Sequence, residues 1–289
     1  MMQVSTRQNV KGFFDTRQGG RPENQDSCAS IDTRYGILVI ICDGMGGGPA
    51  GKLASTTAIK KIEEFLNDYT PDSQEKCSSI LIKAIEYAHE NILTLAAEDD
   101  ARRGMGTTVA AVLITKSHAI LAHVGDTRIY QYRGKKRIFR TKDHSLVGEL
   151  VRNGTLTEEQ ARLSSQSNII TRALGTKDRR VEIDLRPYKK GDRFMICTDG
   201  IWGMYPEKEL IELTASQDAL DDIVYKMVEN TDAKGSSTGG HHDNLTIAVV
   251  ETEEDSTLKE EKVPMKWKYI LLAVLALLVV ISLVVRCLV

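Results

Sequence analysis

Apolar and polar positions alternate along this chain with two different periods. Residues 50–69 place Leu53, Ala58, Ile62, Phe65, Leu66 and Tyr69 on one stripe at helical spacing. After Thr70-Pro71, residues 73–98 repeat the pattern with Cys77, Ile80, Leu81, Ala84, Ile85, Ala88, Ile92 and Leu95. Stripes of this kind predict two helices facing a core. Short β-branched runs bounded by Gly, Asp and Asn predict strands at 35–42, 107–115, 119–124, 129–132, 193–198 and 245–250. Further helices are expected near 206–213 and 219–230. Residues 143–176 are more polar and irregular, with one short helical piece near 157–162, and read as a surface flap. Consecutive strands with helices grouped outside them predict an α+β fold rather than a parallel βαβ array.

Four of these runs meet an acidic motif at one end. Residues 35–42 lead into Asp43-Gly44-Met45-Gly46, 119–124 into Gly125-Asp126-Thr127-Arg128, and 193–198 into Asp199-Gly200, while His241-His242-Asp243-Asn244 precedes the run from Leu245. Strand ends are able to gather Asp43, Asp126, Asp199 and Asp243 at one edge of a sheet. Crowded carboxylates repel unless a cation joins them, and oxygen-only ligands favour Mg²⁺ or Mn²⁺ over zinc or copper. The glycines after Asp43 permit a sharp turn and the approach of a backbone carbonyl to a metal. The same glycines lack the Gly-Lys-Ser/Thr of a phosphate-binding loop. Arg21, ahead of Asn24-Gln25-Asp26, is a candidate for phosphate oxygens because a guanidinium binds them as a fork. Taken singly, Arg21 reads as a surface ion pair and Asp126 as a turn residue.

Composition narrows the classes. A net charge of −2 gives no reason to propose nucleic acid as a partner. The five cysteines are scattered without a CxxC pair, which suits a reducing compartment and neither a disulfide framework nor a zinc site. Residues 251–262 are highly charged and read as a solvated linker. Beyond them, residues 269–285 form an apolar stretch of about 17 residues, near the lower limit of a membrane span. Lys266, Trp267, Lys268 and Tyr269 flank its start, and Arg286 is the only charge beyond it. This pattern predicts a folded body at 1–251, a juxtamembrane linker at 252–267 and a single transmembrane helix at 268–286, with the body on the cytoplasmic side.

Eight ordered motifs give a sharper expectation. They are Arg21-Pro22-Glu23-Asn24-Gln25-Asp26, Asp43-Gly44-Met45-Gly46, Gly104-Met105-Gly106-Thr107-Thr108, Gly125-Asp126-Thr127-Arg128, Asp143-His144-Ser145-Leu146, Thr171-Arg172-Ala173-Leu174-Gly175, Thr198-Asp199-Gly200 and Asp243-Asn244-Leu245-Thr246. Over about residues 10–250 the chain resembles the metal-dependent protein phosphatases of type 2C, in their bacterial form. The resemblance implies a central antiparallel β-sandwich flanked by helices in four layers, α-β-β-α. It also implies a Mn²⁺ or Mg²⁺ site of two ions, with a third bound more weakly. Asp43 would bridge two metals, the Gly44 carbonyl would bind one, and Asp199 and Asp243 would complete the other. Asp126, with Asp199, would hold the third ion; Asp26 would hold water, and Arg21 the substrate phosphate.

The activity implied is hydrolysis of phosphoserine and phosphothreonine on proteins by attack of a metal-bridging hydroxide. Its partners would be phosphorylated proteins, with a membrane Ser/Thr kinase as counterpart. Gln25 stands where many members carry Glu, Met45 where animal members carry a His, and Ser165-Gln166 where His-Pro is common. Gln25 and Met45 are the support for the alternative, a catalytically weak pseudophosphatase acting as a membrane-anchored scaffold.

Overall fold

A computed structural model describes residues 1–4, 10–47 and 49–258. The compact unit runs from Met1 to Thr257. Among the described residues no helix is long and apolar enough to cross a membrane, and the helix expected at 268–286 lies outside them.

Two antiparallel sheets form the centre. The larger has the spatial order Met2–Gln3, Val10–Arg17, Leu245–Thr252, Asp192–Cys197, Arg128–Arg133, Lys136–Arg140. The smaller has the order Glu182–Arg186, Ala119–Val124, Val109–Ile114, Gly36–Cys42, Ser27–Thr33. Every paired neighbour in both sheets is antiparallel.

Strand Gly36–Cys42 shows how the layers arise. All its residues are buried because both faces are covered. Ile37, Val39 and Ile41 point into the sandwich, where they meet Phe14, Phe194, Ile196 and Val250 of the larger sheet. Leu38, Ile40 and Cys42 point the other way, onto helices α1 (Pro49–Asp68) and α2 (Cys77–Ala97). A strand's period of two thus fills two cores at once. A third core lies on the outer face of the larger sheet. There Met195, Cys197, Ile247 and Val249 pack against residues of α5 (Asp199–Trp202), α6 (Glu207–Thr214) and α7 (Leu220–Ser237). The α-β-β-α sandwich expected from the sequence is the architecture found.

The segment from residue 143 to 176 holds α3 (Leu146–Arg152) and α4 (Glu158–Arg162). The second was expected; the first was not, since its only fully buried residues are Val147 and Gly148 and it presents no long apolar stripe. Strands Val10–Arg17, Ser27–Thr33, Lys136–Arg140 and Glu182–Arg186 were also not foreseen. All four carry several polar side chains, and three of them, Ser27–Thr33, Lys136–Arg140 and Glu182–Arg186, lie at sheet edges, where one side needs no apolar cover. Past Thr252 the chain stays on the body: the Ser256 N–H donates to the Tyr188 carbonyl and the Thr257 N–H to the Lys116 carbonyl.

Candidate metal centre

Register brings the acidic motifs together. Ser27 pairs with Cys42, so Asp26 and Asp43 adjoin at one end of the smaller sheet. Cys197 pairs with both Arg128 and Ile247, so Asp199, Asp126 and Asp243 gather at the matching end of the larger one. Asp126 sits in the connection that carries the chain from one sheet to the other. The sandwich therefore closes five carboxylates into one cluster, with Asp26 and Asp126 almost wholly buried.

Electrostatics confirms the crowding. Burial pushes Asp26 up to about 6, against the hydroxyls of Thr246 and Thr198 that pull it down, with the Asp243 charge adding to the rise. Burial with the charges of Asp243 and Asp26 pushes Asp199 up to about 7. Asp43 and Asp126 are driven well above the ordinary carboxylate range, first by burial and then by surrounding acids. Against five carboxylates stand Arg21 on Asp243, the Arg128 charge near Asp126 and Lys52 on the Asp26 carbonyl, which leaves a donor set short of positive charge. Hard divalent cations suit it, because every donor is oxygen.

The surrounding hydroxyls and amides fix these acids. Thr108 Oγ1 accepts the Asp43 N–H at 2.9 Å, and Thr107 Oγ1 donates to the Asp43 carbonyl at 2.8 Å. Thr108 and Thr127 share a hydrogen bond of 2.6 Å, tying the Asp43 loop to the Asp126 loop. Thr198 donates to Asp26 Oδ2 at 3.0 Å. Asn244 clamps the opposite rim: its Oδ1 accepts the Gln25 N–H and its Nδ2 donates to the carbonyls of Gln18 and Glu23. Gly44 is obligatory, since a Cβ there would run into the Gly51 carbonyl oxygen and lie 2.7 Å from the Gln25 carbonyl oxygen. Its motifs were legible in the sequence, but the roles of Thr107, Thr108, Thr198 and Asn244 were not. For Thr198 and Asn244 the available signal was adjacency, since they directly precede Asp199 and follow Asp243.

Arg21 reaches the cluster as expected and donates to Asp243 Oδ2 at 2.7 Å, with half its side chain exposed. Gln25 turns its side-chain amide toward Gly51 at the start of α1. His242 does not lie open to solvent as its place in a glycine-rich loop suggests. Its side chain is buried, and Nε2 lies 2.7 Å from Asp232 of α7, while His241 is exposed.

A second group of ligand-type side chains, His123, His144 and Glu182, lies beside the flap. Its hydrogen bonds argue against a metal. His144 Nδ1 accepts the Gly125 N–H, which leaves the proton on Nε2, 3.0 Å from Glu182 Oε1. His123 Nε2 faces the Lys142 carbonyl at 3.1 Å and is likewise a donor. Arg172 binds the same Glu182 oxygen at 2.9 Å, so a guanidinium already supplies the positive charge. The group is a structural latch.

Comparison with known proteins places this geometry in a family. A model of the family "Protein phosphatase 2C" matches residues 16–245. A putative protein phosphatase 2C-type from Streptococcus pyogenes is 38% identical over 240 residues, covering 81% of this chain and 94% of its own. The solved serine/threonine phosphatase of S. agalactiae is 31% identical, with a TM-score of 0.73, over 84% of this chain and 100% of its own. The catalytic domain of the serine/threonine protein phosphatase PstP, solved with 2 manganese ions, is 26% identical with a TM-score of 0.71 over 85% of this chain and 99% of its own. The chain belongs to the protein phosphatase 2C family. It is an enzyme of that family, a phosphatase.

Proposed function

We propose that this phosphatase hydrolyses phosphoserine and phosphothreonine esters on proteins, with Mn²⁺ or Mg²⁺ held by Asp43, the Gly44 carbonyl, Asp199 and Asp243. A third, weaker ion would take Asp126 with Asp199. The observation that carries the reading is the closure of five carboxylates into one partly buried cluster with too few cations to neutralise it. Bound divalent cations supply Lewis acidity there, lowering the pKa of water and neutralising phosphoryl oxygens.

The chain's own groups do the rest. Asp26, held by the Thr198 hydroxyl, keeps a buried acceptor at the floor of the site for a water proton. Arg21 exchanges Asp243 for the phosphoryl oxygens of substrate, which its fork binds in two places. Thr107 and Thr108 hold the Asp43 loop rigid, so the acids need no rearrangement when substrate arrives.

Phosphate release from a phosphothreonine peptide tests this. Release is expected with Mn²⁺ and is expected to stop with EDTA or with Asp43→Asn. A folded protein that releases nothing with either metal overturns the reading.

The proposal extends to location. Residues 269–285, with basic and aromatic residues at their start, support a membrane tether that leaves the body in the cytosol. Tethering raises the effective concentration toward membrane-bound phosphoproteins, including the products of a membrane Ser/Thr kinase. Carbonate extraction of membranes checks it: the full chain is expected to stay in the pellet, and its appearance in the supernatant removes the tether.

A further inference from the structure

An open groove of about 610 Å³ begins at Met45, the residue that follows Gly44 of the metal centre. Arg172, Lys177, Arg179 and Arg180 line it, against the single carboxylate Asp178. None of these cations belongs to the cluster of acids described above. We propose that this groove receives the polypeptide flanking the phosphoresidue and selects acidic sequences; the inference rests on the phosphatase reading.

Three observations carry it. The first is position. Strand Gly44–Met45 pairs with Gly106–Thr107, and Thr107 in turn exchanges backbone hydrogen bonds with Leu174. This three-layer ladder fixes the 172–180 turn beside the loop that supplies Asp43. A peptide whose phosphate lies on the acids and Arg21 has the groove as its neighbour.

The second is rigidity. The Ala173 N–H donates to the Asp178 carbonyl, and Thr176 Oγ1 donates to the Ala173 carbonyl. The Gly175 N–H donates to Nδ1 of the buried His89 on α2 at 3.0 Å. Gly175 has φ +79°, and a Cβ there would meet the Met105 carbonyl and lie 2.7 Å from Ile92. The turn is locked from behind, so its charges are presented at little entropic cost on binding.

The third is charge. Lys177 makes no ion pair among the described residues, and Arg179 reaches only Glu90, at 3.7 Å. Arg180 is engaged with Asp178 at 2.7 Å yet keeps most of its side chain exposed. Arg172 bonds Glu182 at 2.9 Å, within the latch. The surplus is positive and faces solvent, which suits glutamate and aspartate side chains and repels basic ones.

The test uses the full chain in detergent and two peptides, phosphothreonine flanked on both sides by three glutamates or by three alanines. With Mn²⁺ the glutamate peptide is expected to have a kcat/KM about tenfold higher, the gain residing in KM, as screened surface charges acting together deliver. Raising NaCl from about 50 to about 500 mM is expected to erase most of the ratio, because the Debye length falls to a few ångström. In Lys177→Glu/Arg180→Glu the ratio, read within the one protein, is expected to fall to parity or below. A ratio near one in the unmodified chain overturns the groove, as does a tenfold ratio that survives the charge reversal. Hydrolysis of p-nitrophenyl phosphate, too small to enter the groove, reports the phosphatase reading separately. Should it fail, fluorescence anisotropy of the two labelled peptides still reads the groove: equal binding of both overturns it, and preferential binding lost in the variant upholds it.

Discussion

Asp199→Asn is expected to stabilise the metal-free protein and to destabilise the metal-loaded one. Burial and the charges of Asp243 and Asp26 raise the Asp199 pKa from its ordinary 3.8 to about 7. The unfolded chain loses this proton near pH 4, whereas the folded one holds it up to about 7. Between those values the folded state binds more protons, so stability falls as pH rises, and the loss is complete above about 7. At about 1.4 kcal/mol per pKa unit, the rise corresponds to a ceiling of about 4 kcal/mol. Asp26, Asp43 and Asp243 share the same repulsion and relax when one charge leaves, so about half of it, roughly 2 kcal/mol, is expected for the single change. For a domain of this size that raises Tm by about 4–8 °C. Cation binding reverses the order: at a hundred times Kd it stabilises the unmodified protein by about 2.7 kcal/mol, and the variant has lost a ligand. Thermal unfolding followed by circular dichroism at pH 8, in EDTA and then in MnCl₂, measures both. A variant that melts below the unmodified protein in EDTA refutes the argument, since Asp199 would then be held by something other than an absent cation.

Other consequences concern the supports around the site. Arg128 forks Asp143 through Nε and Nη2 at 2.9 and 2.6 Å, lies 3.5 Å over the Trp202 ring, and is nearly buried, so Asp143→Asn strands a guanidinium. A cost of about 3–5 kcal/mol is expected in urea unfolding, against less than about 1 kcal/mol for Glu158→Gln at the more exposed pair with Arg140. Burial, then His123, holds His144 down at about 4, so below pH 6.5 the unfolded chain takes a proton that the folded one refuses. Stability should therefore fall by about 3 kcal/mol between pH 6.5 and 4 on its account. The pH 7 to 5 loss in urea midpoint should be smaller in His144→Gln; an unchanged loss counts against a neutral buried imidazole. Gly44→Ala should cost about 1–3 kcal/mol by forcing α1 from the Asp43 loop, with peptide turnover down more than tenfold. Gly47→Ala, whose added Cβ meets nothing within 4 Å at φ +73°, should cost only its backbone strain, about 1 kcal/mol.

How much of this was legible in the chain depends on whether a residue's job is local. Asp43, Asp126 and Asp199 each end an apolar run, and Asp243 precedes one, so a one-dimensional pattern already held the fact that strand ends gather them. The four layers came from the family resemblance, and the structure shows what carries them: Gly36–Cys42 is apolar at every position, which a strand tolerates only between two covers. Strand Glu182–Arg186 escaped notice because an edge position asks little of its side chains. Thr108 and Asn244 escaped for a different reason. A hydroxyl or an amide has no direction in sequence, and only folding decides that Thr108 meets Asp43, 65 residues away, or that Asn244 meets Gln25, 219 away. The His123, His144 and Glu182 latch is the converse case, where residue types suggest a metal and the hydrogen bonds, with Arg172 on the same Glu182, argue against one. An imidazole that accepts the Gly125 N–H has spent its lone pair, and no choice of sequence spacing encodes that. The acids of a site can therefore be read from the chain ahead of the groups that hold them, because charge is a property of a residue and satisfaction is a property of a fold.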